Sequence, residues 1–165
     1  MQGLKWNDIN FDKKELKVER TRDQYGDRSP KTKRSFRTIL VDDVVLDQLK
    51  TYKTWCKKTL FAYGEKLKDD GDDYIFISHQ SGTPIGDNTL SACFDRIEKK
   101  TKTKRITPHG LRHTHATILI GQKTPLKTIA DRLGNTPAMI LDVYGHSFKE
   151  LEIASVEAFN FAMNL

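Results

Sequence analysis

The sequence predicts an α+β domain, mainly helical, with a small antiparallel β-hairpin at one edge. Three observations predict this class. Apolar residues recur at helical spacing in most of the chain after residue 42. Two short stretches before that point have the composition of strands, and in one of them apolar residues alternate with charged ones. Thr-Pro pairs mark helix starts, because a threonine hydroxyl caps a helix and proline fits its first turn.

The amino-terminal stretch holds the predicted hairpin. "LKWNDINFDKKELKVER" predicts the end of a helix and then a strand, in which Leu16 and Val18 alternate with charged residues. "TRDQYGDRSPKTKR" is rich in polar and turn-forming residues and predicts a turn region. "SFRTILV" predicts the return strand.

Helices are predicted for most of the remaining chain. Asp42 or Asp43 is expected to cap the first one, whose apolar positions are Val45, Leu49, Tyr52 and Cys56. "YIFI" at 74–77 predicts a short buried strand or an apolar anchor, and Asp87 is expected to cap a second helix. Further caps are predicted at Thr107, Thr124 and Thr136, each followed by proline.

The last predicted boundary lies close to Tyr144. Gly145 follows this tyrosine and predicts a helix C-cap, so that Tyr144 would stand at a helix end. Ser147 and Glu150 have the spacing of a capping box and predict the start of a separate final helix.

Composition excludes several classes of protein. The 165 residues fit one domain, 37% are hydrophobic, and the mean hydropathy is −0.60. No apolar run approaches a membrane span and no signal peptide is recognisable, so we expect a cytoplasmic protein without a membrane partner. Cys56 and Cys93 are expected to be free core thiols.

Basic residues are clustered rather than spread. The net charge is +6, and the runs "RSPKTKRSFR" and "RIEKKTKTKR" contain five and six basic side chains. A single basic run is a solvated face about as often as it is a binding site. Two such runs favour a polyanionic partner, usually nucleic acid. The DNA-binding candidates are Lys33, Arg34, Arg37, Lys102, Lys104 and Arg105.

The stretch "TPHGLRHTHATILI" contains the densest group of functional side chains. On a helical wheel His109, Arg112 and His113 share one sector with Ala116 and Ile120. His115 falls on the other side with Leu111, Ile118 and Leu119, which predicts that it packs at the core and hydrogen-bonds to backbone. His109 and Arg112 lie near a helix N-terminus, where backbone N–H groups and the dipole favour an anion. An arginine adds a fork that matches phosphate oxygens, and His113 is expected to play a supporting role.

A metal site is not expected here. His109 and His113 have the spacing of the zinc motif HExxH, but Gly110 replaces its glutamate and no Cys, Asp or Glu lies nearby in sequence. The sequence therefore lacks the ligands that a metal-dependent hydrolase would need. Tyr144 alone would usually be half-buried filler, but with a cationic clamp it becomes a candidate nucleophile for phosphoryl transfer.

The motifs "HGLRHTHATILI" and "LGNTPAMILDVYGHS" resemble those of tyrosine recombinases of the phage integrase type. "LKWNDINFD" and "PKTKRSFRTI" resemble the segments around that family's β-hairpin, so the resemblance covers nearly the whole chain. It implies the tyrosine recombinase catalytic fold and site-specific DNA recombination, the integration or excision of a phage or other mobile element. The remaining alternative is a non-catalytic DNA-binding module.

The resemblance also implies roles for individual residues. Tyr144 would attack a DNA phosphodiester, form a 3′-phosphotyrosine and release a 5′-hydroxyl, with no metal or other cofactor. Arg112 and His109 would hold the non-bridging oxygens. Lys31 would be the general acid, with Lys33 as the rival for that role. Asn135 stands where the family usually has histidine or tryptophan, and is a weaker assignment; His146 also matches the pattern, as a structural or neighbouring residue.

The same resemblance implies an incomplete assembly. The family's first arginine belongs to a segment that would precede "LKW", and a core-binding domain would precede that. Residues 1–165 are therefore expected to be an N-terminally truncated catalytic domain that cleaves DNA poorly or not at all. The expected partners are double-stranded DNA attachment sites and, for the full-length protein, three further copies in a homotetramer on DNA.

Overall fold

The structure is a computed structural model that describes residues 2–23, 25–29 and 32–163, without the side chains of residues 33 and 146–154. The chain forms two compact units, Met1–Ala92 and Cys93–Leu165. The predicted α+β class is confirmed: small antiparallel sheets lie in the first unit, and helices make up most of the second.

The three-stranded sheet of the first unit contains the predicted hairpin pairing. The predicted helix end is a 3-10 helix, Trp6–Asp8, that leads into strand β1 (Ile9–Asn10). Strand β2 (Glu15–Val18) pairs antiparallel with β1 on one side and with β5 (Arg37–Leu40) on the other. Leu16 is opposite Ile39, so the two stretches predicted to form the hairpin strands do pair with each other.

The segment predicted to be a turn region contains a second hairpin. Strands β3 (Thr21–Asp23) and β4 (Gly26–Arg28) pair antiparallel. The Asp23 carboxylate accepts the N–H of Tyr25 at 2.8 Å, and Gly26 has a φ of 108°, which favours glycine. No apolar alternation marks these strands, because neither is buried, and the prediction missed them for that reason.

The core of the first unit forms against helix α1 (Asp43–Ala62). Asp42 caps it as predicted, its carboxylate accepting the Val45 N–H at 2.9 Å. The buried face is formed by Leu46, Cys56 and Leu60, whereas Val45, predicted to be apolar core, is 40% exposed. These side chains pack with Trp6, Ile9, Ile75 and Ile77.

Two further features complete this core. "YIFI" forms only isolated bridges, so it is the apolar anchor of the two predicted alternatives: the Ile75 N–H donates to Leu4 O at 2.9 Å. The buried Asp8 carboxylate is compensated by Arg20 at 2.5 Å and by the Lys5 backbone N–H at 2.8 Å. A buried charge needs such partners because its desolvation is costly.

The second unit consists mainly of helices. Helix α2 (Thr89–Thr101) spans the division between the units, and α3 (Pro108–Gly121), α4 (Leu126–Leu133) and α5 (Pro137–Ala162) follow. Asn88, not Asp87, precedes α2, and its carbonyl accepts the Ala92 N–H at 2.9 Å. Helices α3, α4 and α5 pack on one another around a core of Ala116, Ile120, Ile129, Ala130, Leu133, Ile140 and Tyr144.

Two of the three predicted threonine caps are confirmed. The Thr107 hydroxyl accepts the Gly110 N–H at 2.9 Å, and the Thr136 hydroxyl accepts the Met139 N–H at 3.0 Å. The prediction for Thr124 is wrong, because α4 begins after Pro125 and has no side-chain cap. The Thr124 N–H instead bonds to Leu119 O at 3.0 Å and closes the end of α3.

Helix α5 passes through the predicted boundary without a break. Tyr144 and Gly145 lie in its interior, so the predicted C-cap at Gly145 and the new helix start at Ser147 are both wrong. The side chains of Ser147 and Glu150 are outside the described residues. A glycine inside a helix costs about 1 kcal/mol relative to alanine, which packing of the helix can offset.

Both cysteines are free thiols, as predicted, with Cys56 buried and Cys93 half-buried. Burial raises the pKa of Cys56 to about 11, so this thiol is un-ionised near neutral pH. No helix in the described part of the chain has the length and apolarity that crossing a membrane requires.

Candidate active site

The candidate nucleophile is buried and held by a histidine. Tyr144 is 6% exposed, and its Oη lies 2.7 Å from Nδ1 of His113. Helix α5 presents the tyrosine and α3 presents the histidine, and the two rings are tilted with centroids 5.5 Å apart. The expected supporting role of His113 thus has a specific contact, with the phenol oxygen itself.

The buried face of helix α3 is not the face that was predicted. The sector that carries Arg112 and His113 also carries the fully buried Ala116 and Ile120, so this sector faces α4 and α5. Leu111 and Ile118, predicted to lie on the core side, are 49% and 58% exposed. The functional side chains therefore stand at the rim of the core, where a buried residue of α5 can reach them.

Arg112 is anchored to the end of α4. Its Nη2 donates to the carbonyl of Leu133 at 2.5 Å, and the side chain is partly buried. A helix C-terminus carries partial negative charge, which favours a cation there. A guanidinium has five N–H donors, and this bond uses one, so donors remain for a ligand.

His109 extends the arrangement towards solvent. It is exposed, and its ring meets the His113 ring edge-on with centroids 5.0 Å apart. His109, His113 and Tyr144 therefore form a continuous series from the first turn of α3 to the core. Arg112 joins this group through α3 and through the end of α4.

His115 turns away from this group. It is half-buried, as predicted, but its Nε2 accepts from Nε of Arg132 at 3.1 Å and not from a backbone donor. Burial, with the charges of Arg132 and Arg112, lowers the pKa of His115 below its ordinary value. An imidazole nitrogen that accepts from a guanidinium must be unprotonated, so geometry and charge agree on a neutral His115.

Of the remaining residues predicted for the catalytic site, only Asn135 is fully described by the structure. Asn135 lies between α4 and α5, two residues after the Leu133 carbonyl that holds Arg112, and its N–H bonds to Ala130 O at 2.9 Å. Lys31 and the side chains of Lys33 and His146 are outside the described residues. The choice between Lys31 and Lys33 therefore stays a prediction.

The predicted DNA-binding side chains divide between the units. In the first, Arg34 is exposed beside β5, and Arg37 at the start of β5 donates to Ser35 O at 3.1 Å. In the second, Lys102 and Lys104 are exposed in the loop between α2 and α3. Arg105 in the same loop is paired with Asp95 at 2.9 Å, an exposed ion pair that a phosphate could displace at small cost.

The described residues contain no group of three or more His, Cys, Asp or Glu side chains arranged to hold a metal ion. Phosphoryl transfer does not require one when cationic side chains stabilise the charge on the phosphate oxygens. The site contains a guanidinium, an exposed imidazole and a phenol hydrogen-bonded to a second imidazole. Groups of these kinds can bind a phosphodiester and attack it.

Comparison with known proteins extends this result. A model of the phage integrase family matches residues 1–150. The chain belongs to the phage integrase family. Among curated proteins it is 29% identical to the "Tyrosine recombinase XerC-like" protein of Caldanaerobacter subterraneus over 96% of this chain and 44% of that protein. It is 29% identical to the ICEBs1 integrase of Bacillus subtilis over 93% of this chain and 43% of the relative. This phage integrase family member thus spans less than half the length of these relatives.

Solved structures of integrases share the fold. The structure of the Tn1549 transposon integrase in complex with transposon right end DNA matches with a TM-score of 0.77 and 23% identity, over 95% of this chain and 52% of that one. The XerA recombinase matches with a TM-score of 0.64 and 21% identity, over 93% and 51%. The predicted tyrosine recombinase fold is confirmed by these likenesses.

Proposed function

We propose that this chain provides the catalytic part of a site-specific DNA recombinase that cuts and rejoins strands through a 3′-phosphotyrosine at Tyr144. The observation that carries the proposal is the buried Tyr144 phenol, hydrogen-bonded to α3 beside His109 and Arg112, in a member of the phage integrase family. The alternative, a non-catalytic DNA-binding module, does not explain why these three side chains lie together.

A specific side chain carries out each step of the proposed reaction. Oη of Tyr144 attacks the phosphorus, the bond from phosphorus to the 5′ oxygen breaks, and the chain becomes linked to the 3′ phosphate. Arg112 and His109 hold the non-bridging oxygens, with Asn135 as an additional amide donor. Lys31 or Lys33 protonates the leaving oxygen. A 5′-hydroxyl from another strand then reverses the reaction, and the ester bond is conserved without a cofactor.

The basic loops supply the affinity for DNA. Lys33, Arg34 and Arg37 in the first unit and Lys102, Lys104 and Arg105 in the second would neutralise backbone phosphates. The partners we propose are double-stranded attachment sites of a phage or another mobile element in the bacterial cytoplasm, with a homotetramer as the active assembly.

Covalent trapping tests the proposal. The chain is incubated with a pool of duplexes randomised on both sides of one 5′-bridging phosphorothiolate, whose thiolate leaves without protonation and does not re-attack. Adducts therefore accumulate even from slow cleavage, and are scored by denaturing electrophoresis. Of the two expectations stated for this chain, poor cleavage or none, the proposal takes the first: we expect adducts to accumulate slowly with the wild type and none with Tyr144→Phe. Tyr25→Phe, at a 77% exposed tyrosine of the first unit, is the matched control and retains them.

Binding separates the two candidate functions. Tyr144→Phe is expected to bind duplex DNA as the wild type does, with an affinity that falls steeply with salt. Salt-dependent binding by a wild type that forms no adduct would contradict the recombinase and support the DNA-binding module.

A further inference from the structure

We propose that His113 is the general base that takes the phenolic proton of Tyr144 during cleavage and returns it during rejoining. This inference rests on the proposed function, and it concerns a residue outside the clamp of Arg112 and His109. It starts from one contact, the 2.7 Å approach of His113 Nδ1 to Tyr144 Oη.

The burial of the two partners differs in the way that a proton relay needs. Tyr144 is 6% exposed, so bulk water has little access to its hydroxyl. His113 belongs to the exposed side chains, on a helix whose neighbouring positions Ala116 and Ile120 are fully buried. A proton taken from the phenol can therefore pass through the imidazole to solvent. Within the described part of the chain, the Tyr144 hydroxyl forms its hydrogen bond with Nδ1 of His113.

The relative acidities of a phenol and an imidazolium fix the timing of the transfer. A phenol is much the weaker acid, so a neutral imidazole does not deprotonate a resting tyrosine. As the bond from Oη to phosphorus forms, the oxygen loses its basicity and the proton moves to Nδ1. The other bond to break, from phosphorus to the 5′ oxygen, leaves that oxygen to be protonated by a separate acid. Charge and atoms balance, because His113 gains the proton that Tyr144 loses.

Action as a general base also requires one particular tautomer of His113. Nδ1 can accept from the phenol only if His113 is neutral and carries its proton on Nε2. The opposite arrangement, in which a protonated Nδ1 donates to Oη, would hold the tyrosine but could not activate it. Imidazole ¹⁵N spectra of the chain near neutral pH distinguish the two without any DNA. An unprotonated Nδ1 is expected, and a protonated one would overturn the proposal.

Two substitutions separate proton transfer from positioning. In His113→Asn the amide oxygen can occupy the place of Nδ1 and accept the phenol hydrogen bond, but it cannot take the proton. We expect the rate of adduct formation on the phosphorothiolate duplexes to fall about 10²–10⁴-fold, the usual contribution of general acid–base catalysis. In His113→Ala the exposed position admits free imidazole, which is expected to restore much of the lost rate. His115→Asn, on the same helix but bonded to Arg132, is the matched control and should retain the wild-type rate.

The outcomes for this inference and for the proposed function are distinguishable. If the wild type forms no adduct, or if Tyr144→Phe still forms one, the proposed function fails and the inference fails with it. If the wild type reacts at Tyr144 and His113→Asn reacts at the same rate, only the inference is overturned. Loss of rate in His113→Ala without imidazole rescue, in a variant that melts as the wild type does, would also overturn it.

Discussion

The anchoring of Arg112 has a measurable cost when it is removed. Arg112→Met keeps the length of the apolar stem and deletes the donor to Leu133 O. Leu133 is only 7% exposed. A hydrogen bond to a charged group contributes about 1.5–3 kcal/mol. The favourable position of a cation at a helix C-terminus adds about 0.3–1 kcal/mol. Because the side chain is only partly buried, we expect a loss near the lower end, about 2 kcal/mol in the free energy of unfolding.

Urea denaturation followed by circular dichroism measures this loss, and thermal melting gives an independent check. At this chain length, about 2 kcal/mol corresponds to a fall in Tm of about 4–8 °C. Arg112→Lys should recover part of it, since an ammonium can still donate. Arg105→Met is the matched control, because its exposed ion pair with Asp95 contributes at most about 1 kcal/mol. Equal stability of Arg112→Met and the wild type would refute the anchoring to α4.

Three further predictions concern the second unit. The lowered pKa of His115 stabilises the fold fully above about pH 6.5, and this contribution is lost as pH falls from there toward the folded pKa; the wild type should therefore lose more free energy of unfolding on acidification than His115→Gln, and identical pH profiles would count against it. Thr136→Ala should cost about 1 kcal/mol in urea denaturation and Thr124→Ala clearly less, because only the first is a cap; equal losses would argue otherwise. Gly145→Ala should raise helix stability by about 1 kcal/mol, whereas a C-cap glycine would make the same change destabilising.

Features set by neighbouring residues could be predicted from the sequence. Asp42, Thr107 and Thr136 cap helices because a cap needs only its own side chain and an N–H three residues on. The pairing of β2 with β5 follows from the alternation at Leu16 and Val18 and from the strand-forming composition of "SFRTILV". The same local logic failed at Thr124, since the residues before it close α3 with a left-handed Lys123 of φ 55°.

Features set by packing could not be predicted in this way. Whether a helix stops at Gly145 or passes through it depends on the partners that its two halves find, and local sequence does not contain them. The contact between His113 and Tyr144 joins residues 31 positions apart on two helices. The resemblance identified the tyrosine and the arginine, but only the packing of α3 on α5 showed which histidine touches the phenol.

The most direct test of the account is the identity of the residue that becomes linked to DNA. Adducts trapped on the phosphorothiolate duplexes would be digested with nuclease and protease, and the modified peptide sequenced by mass spectrometry. We expect a nucleotide on the oxygen of Tyr144 and on no other tyrosine. A nucleotide on another residue, or none on any peptide of the chain, would contradict it.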